Sequence, residues 1–198
     1  EMQRSLVGSE MCIRDREYAD LNGDSLVNVS AEERKKTLVD YALPKNIKKM
    51  QADMEKYKIY YDKWFFESEL HKSGAVKAVV DLLTKKGLTY EKEGAVWYKN
   101  KEVLTQKLLK EGKSQKYIDN LELKDDVLIR QNGNPTYFTA DIAYHKNKFD
   151  RGFTTLIDVW GADHHGHVMR MKGAMDAIGY DGDKLNVVLM QLVKLVKD

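Results

Sequence analysis

The side chains most able to do chemistry sit together at Asp163, His164, His165 and His167, just after the apolar run Leu156-Ile-Asp-Val-Trp160 and Gly161. Three of the chain's five histidines fall in this one short stretch. Such groups can ligate a metal, cap a helix or line a nucleotide site, and residue types alone leave all three open. A second pair is Tyr137 and Asp141. A carboxylate and a phenol can grip a planar cation, the carboxylate by two parallel charge-assisted hydrogen bonds. The plainer reading, which spacing alone favours, is a carboxylate near a helix start beside a strand aromatic. Gln191 interrupts an apolar run, where an amide either satisfies nearby backbone or faces a ligand.

These groups need elements to hold them. Leu156–Trp160 reads as a buried strand, and Val168, Met171, Met175 and Ile178 repeat at helical spacing after it. Ligands of open α/β sheets bind beyond the carboxyl ends of strands, and a helix start there offers free N–H groups to an anion. Val127–Arg130 reads as a strand, Asn132-Gly-Asn-Pro135 as a turn, and Thr136–Thr139 as a returning strand. Thr139 then caps a helix from Ala140 to just before Gly152, with Asp141 in its first turn. Leu185–Val196 reads as another buried strand.

Upstream, Ser30-Ala-Glu-Glu33 is a capping box for a short helix, and Pro44 opens a second helix over 45–57. The aromatic run Lys58–Phe66 suggests a half-buried strand. Ser73 opens a helix that buries Val76, Val79, Val80 and Leu83 and stops at Gly87. Tyr90–Tyr98 reads as a hairpin turning at Glu93-Gly94. Residues 101–126 carry six lysines and six carboxylates, which cancel any charged-patch argument and leave a short surface helix near Val103–Leu109.

The chain has 198 residues and a formal charge of +2, too little to announce a nucleic-acid binder by bulk charge. No apolar run is long enough to span a bilayer. The single cysteine, Cys12, has no internal partner for a disulfide, so the simplest compartment is a reducing cytoplasm. Residues 1–16 lack any helical or strand period and read as a non-native or disordered tail, similar to translated sequencing-adaptor read-through.

Several motifs, in order, resemble class I arginyl-tRNA synthetases. They are Trp64-Phe-Phe-Glu-Ser-Glu-Leu, Ser73-Gly-Ala-Val, Gly94-Ala-Val-Trp, the stretch from Val127 to His145, Trp160-Gly-Ala-Asp-His-His-Gly-His, and Leu189-Met-Gln-Leu-Val-Lys-Leu. The likeness runs from about Tyr18 to the end. It implies an incomplete Rossmann-type nucleotide-binding domain within an α/β fold, over 17–198, with a helix and hairpin insertion at about 67–126. It also implies ATP-dependent activation of L-arginine and transfer to its tRNA, with Mg²⁺ carried by ATP, in a full-length protein that acts as a monomer without membrane contact. By position, Tyr137, Asp141 and His164 would bind arginine. Gly161, Asp163, His165, His167 and Gln191 would line the ATP side. The family's His-x-Gly-His and Lys-Met-Ser-Lys signatures and its anticodon-binding domain are absent, and Ala140 stands where many members carry arginine. The expectation is a central slice of the catalytic domain, unable to charge tRNA alone. Two other readings stay in view: a non-catalytic module for a nucleotide or guanidinium, and a metal phosphoesterase of the Asp-His-His type.

Overall fold

The computed structural model describes residues 13–194. The chain divides into two units, Glu1–Trp64 and Phe65–Asp198.

The first unit pairs α1 (residues 13–22) with α2 (Ala31–Lys56). Ser30 caps α2 as its sequence implies, its hydroxyl accepting from the Glu33 N–H at 3.1 Å. Two helices were expected and one forms: Pro44 lies inside α2. Proline gives no N–H to the carbonyl four residues back and costs an interior helix about 3 kcal/mol. Contacts beside the proline favour continuity. Tyr41 packs edge-on to Tyr18 with centroids 5.1 Å apart, Lys45 pairs with Glu17 at 2.5 Å, and Asn46 accepts from Arg14 at 3.2 Å. Residues 13–16, assigned to a tail on sequence, therefore begin a packed helix; residues 1–12, including Cys12, lie outside the described ones. Between the helices, the Arg34 guanidinium donates to the carbonyls of Leu26, Val27 and Val29. The aromatic run at 58–66 forms no strand. Strand preference is realised only against a partner, and here Tyr57, Tyr60 and Tyr61 face solvent.

The second unit begins with α3 (Glu67–Lys72) and α4 (Ala75–Lys85). Ser73 closes α3 instead of opening α4, because its hydroxyl turns back to the Leu70 carbonyl at 3.2 Å. Gly74, with φ +75°, makes the corner. The expected apolar face of α4 is buried at Val76, Val79, Val80 and Leu83. Then β1 (Thr89–Lys92) and β2 (Ala95–Tyr98) form the hairpin. Its turn has positive φ at both Glu93 (53°) and Gly94 (72°), as a two-residue turn matched to strand twist requires. β3 (Asp126–Ile129) adds antiparallel to β2.

Between them lie α5 (Asn100–Lys110) and α6 (Gln115–Asp119), the second not foreseen. α5 is more than a surface helix. Leu104 and Leu108 are buried, and Leu104 fills the groove left by Gly173 on α8 (His165–Ile178).

The site-bearing elements follow. α7 (Tyr137–Asp150) starts three residues earlier than expected, with Thr136 rather than Thr139 as its N-cap. The returning chain makes a single isolated bridge to β3, Pro135 with Ile129, and no second strand forms at 136–139. Pro135 lacks the N–H that a longer ladder needs, and Thr136 is the next residue able to cap. Thr139 instead buries its hydroxyl on the Leu128 carbonyl at 2.7 Å. Asp141 is thus the fifth helical residue, just past the first turn.

β4 (Leu156–Gly161) and β5 (Leu185–Met190) pair in parallel, from Leu156 opposite Leu185 to Gly161 opposite Met190. Both were expected to be buried strands. They alternate instead: Leu156, Asp158 and Leu185 are buried, while Ile157 and Val159 are 70% and 68% exposed. One core, which includes Tyr98, Leu128, Ile142, Met171, Met175 and Leu185, joins the two sheets to α4, α7 and α8.

Candidate functional site

The site grows from two helix starts and one strand end. On α7, Tyr137 and Asp141 are four residues apart and so share a face. Tyr137 is 78% exposed, and the Arg130 guanidinium lies over its ring, 5.9 Å from the centroid. The Asp141 carboxylate is half exposed and borders a cleft of about 260 Å³. Phe65, Tyr144, Leu70, Ala140 and a second carboxylate, Glu67, complete its walls. Aromatic faces with carboxylates suit a flat, delocalised cation.

The histidine turn opens at Gly161, where an added Cβ would meet the Asp163 carboxylate at 2.4 Å. The segment Ala162–His164 is a single 3₁₀ turn leading into α8. Asp163 and His164 are solvent-facing, 3.9 Å apart at their nearest charged atoms. The three histidines diverge. His165 borders another cleft, about 950 Å³, walled by α5, residues 121–126 and the start of α8. His167 turns toward α7, its Nε2 3.3 Å from Asp141 Oδ2. Gln191 is exposed one residue past β5, at the sheet end where β4 also finishes. Among the described residues, no three His, Cys, Asp or Glu side chains converge as a metal cluster.

Beneath this surface lies a buried network that sequence reasoning missed. His145 is 3% exposed. Its Nδ1 lies 2.7 Å from the Asp141 carbonyl and its Nε2 2.5 Å from Asp158 Oδ2, so both nitrogens face oxygen acceptors. The other Asp158 oxygen accepts from Lys148 at 2.6 Å. Burial pushes the Asp158 carboxyl up, but hydrogen bonds from His145 and Lys148 outweigh it and hold the group below the usual carboxylate value. The signal was present: an aspartate inside an apolar strand, and His145 and Lys148 one helical turn apart. A second pair braces α8. Arg170 grips Asp126 with both Nε and Nη2 and lies 4.9 Å from the Phe138 centroid. Burial raises the Asp126 carboxyl despite that partner. The rings of Phe138, His167, Trp160 and His145 then form a chain of contacts with centroids 5.4 to 6.1 Å apart. The floor of the Asp141 face is therefore packed rather than loose.

No family model matches the chain. It is 51% identical over 191 residues to the arginine–tRNA ligase of Caldanaerobacter subterraneus subsp. tengcongensis, covering 96% of this chain and 31% of that protein. The chain is homologous to one segment of the arginine–tRNA ligases. The ligase of Ruminiclostridium cellulolyticum is 47% identical over 192 residues, again covering 96% of this chain and 31% of that protein. A Campylobacter jejuni structure described as an arginyl-tRNA synthetase aligns with TM-score 0.73 and 34% identity over 93% of this chain and 36% of its own. The Thermus thermophilus arginyl-tRNA synthetase aligns with TM-score 0.61 over 81% of this chain and 32% of its own; at 17% identity it speaks to fold alone. The chain spans about a third of the length of the curated relatives it matches. The ordered motifs of the sequence thus mark real kinship, and nothing favours the phosphoesterase or the non-catalytic module.

Proposed function

We propose that this chain is the central part of a Rossmann-type class I catalytic domain and that it supplies the arginine-binding wall of an enzyme joining L-arginine to its tRNA. The observation that carries the reading is the Asp141 carboxylate at the mouth of an aromatic-walled cleft, beside Tyr137 and against His167. Asp141 takes the substrate guanidinium by paired charge-assisted hydrogen bonds, Tyr137 adds its hydroxyl, and Glu67 supplies a second negative charge to the same cleft. His164, at the exposed strand end, meets the backbone end of arginine.

ATP lies over the carboxyl ends of β4 and β5, where open α/β sheets receive ligands. Gly161 permits close backbone approach there, while Asp163, His165 and Gln191 offer polar contacts to ribose, phosphate and base. Mg²⁺ would travel with the nucleotide, held by its phosphates, and would neutralise their charge. The chain's own residues orient and neutralise rather than react covalently: the arginine carboxylate is aligned with the α-phosphate by positioning. The tRNA is the partner of the full-length protein.

The test is arginine binding by calorimetry on this chain and on Asp141→Asn. Citrulline, which has arginine's shape without its charge, is the control. Arginine should bind, citrulline should not, and Asp141→Asn should weaken arginine at least tenfold. Equal binding of arginine and citrulline refutes the assignment.

A further inference from the structure

His167 is set apart from the other histidines of the turn. Its side chain is 18% exposed, against 62% for His164. Its ring is wedged edge-on to Phe138 and tilted against Trp160, each 5.4 Å between centroids. Its Nε2 is closed off from solvent and has no hydrogen-bond partner among the described residues, though Asp141 Oδ2 is 3.3 Å away. The two atoms are within reach but off the line of a hydrogen bond. Contacts of this kind in ligand-free sites commonly align only when substrate arrives. A sealed nitrogen cannot touch substrate directly. It can act on the carboxylate within its reach, Asp141.

We propose that His167 is a positioning residue for Asp141, holding the carboxylate in the rotamer that a guanidinium needs; this rests on the arginine reading above. A carboxylate has about four lone-pair sites, and a bidentate guanidinium takes two, which leaves room for a third donor. Asp141 is then anchored twice. His145 holds its backbone carbonyl at 2.7 Å, and His167 holds its side chain. Packing between Phe138 and Trp160 prevents the imidazole from following the carboxylate away. The role assigned to His167 is thus on the arginine side of the site, distinct from the nucleotide contacts of His165.

Two measurements on the full chain test this. The first needs no ligand: the His167 Nε2 resonance in a long-range ¹H–¹⁵N spectrum should move on Asp141→Asn and stay put on Asp119→Asn, an exposed control. An unmoved resonance in Asp141→Asn overturns the proposal. The second separates nitrogen from ring. His167→Phe keeps the aromatic packing and removes Nε2, whereas His167→Gln keeps a donor near that position. Arginine affinity should fall about tenfold in His167→Phe and stay within about threefold of the parent in His167→Gln, with unchanged circular dichroism in both. No loss in His167→Phe, or equal losses in the two variants, overturns it. Should arginine fail to bind the chain, or should Asp141→Asn leave its affinity intact, the arginine reading fails, and the ligand-free spectrum still decides whether His167 acts on Asp141.

Discussion

Asp158→Ala is the sharpest probe of what holds the site together. Asp158 is 8% exposed and is the shared acceptor of His145 at 2.5 Å and Lys148 at 2.6 Å. Removing it strands a nearly buried imidazole donor and a Lys148 amine whose side chain is 15% exposed. Breaking a buried pair from one side costs about 3–5 kcal/mol. Lys148 lies near enough to the surface to swing toward water, so the expected cost is near the lower bound, about 3 kcal/mol. Domains of this size are stable by only about 5–15 kcal/mol, so the loss is a large share of the total. With a urea slope of about 1–3 kcal/mol/M, the midpoint should drop by about 1–3 M, followed by tryptophan fluorescence, Trp160 being in contact with His145. The pH dependence is a second handle. A carboxylate held below its ordinary value contributes stability above that value and loses it as pH falls through the depressed one. The gap between parent and Asp158→Ala should therefore be full at neutral pH and narrow in acid. A variant within about 1 kcal/mol of the parent at pH 7 would refute the claim that this network braces α7 on β4.

Three further outcomes are expected. Pro44→Ala should stabilise the first unit by up to about 3 kcal/mol, since it restores an N–H inside α2; a loss of stability would mean that the proline marks a real break in the helix. Gly173→Ala places a Cβ 2.6 Å from the Leu104 methyl and should cost about 1–3 kcal/mol in thermal unfolding, and clearly less when it is introduced into a Leu104→Ala background, where the obstructing methyl is gone. Glu17, whose carboxyl is drawn down to about 2 by hydrogen bonds from Lys45 and then Arg14, should show that midpoint in a carboxyl-carbon NMR titration. Its contribution to stability is full above about 4.5 and disappears as pH falls through about 2, and Lys45→Met should move the midpoint upward.

Local chemistry was legible wherever one residue decides the backbone. Ser30 as a cap, Glu93-Gly94 as a hairpin turn, the buried stripe of α4 and the start of α8 after the histidine turn all follow from patterns a few residues long. The ordered motifs also named the family, because the order of many short signatures is itself sequence information. Tertiary structure decided the rest, because each remaining question depended on a partner distant in the chain. Contacts from 13–22 favour an unbroken α2 through Pro44, and the aromatic run at 58–66 stays irregular for want of a neighbouring strand. The choice of Thr136 over Thr139 as cap moved Asp141 along α7, and the packing of α8 on that helix then turned His167, alone of the three neighbouring histidines, onto its carboxylate. Spacing along a chain sets which side chains share a face, but only packing between elements sets which faces meet.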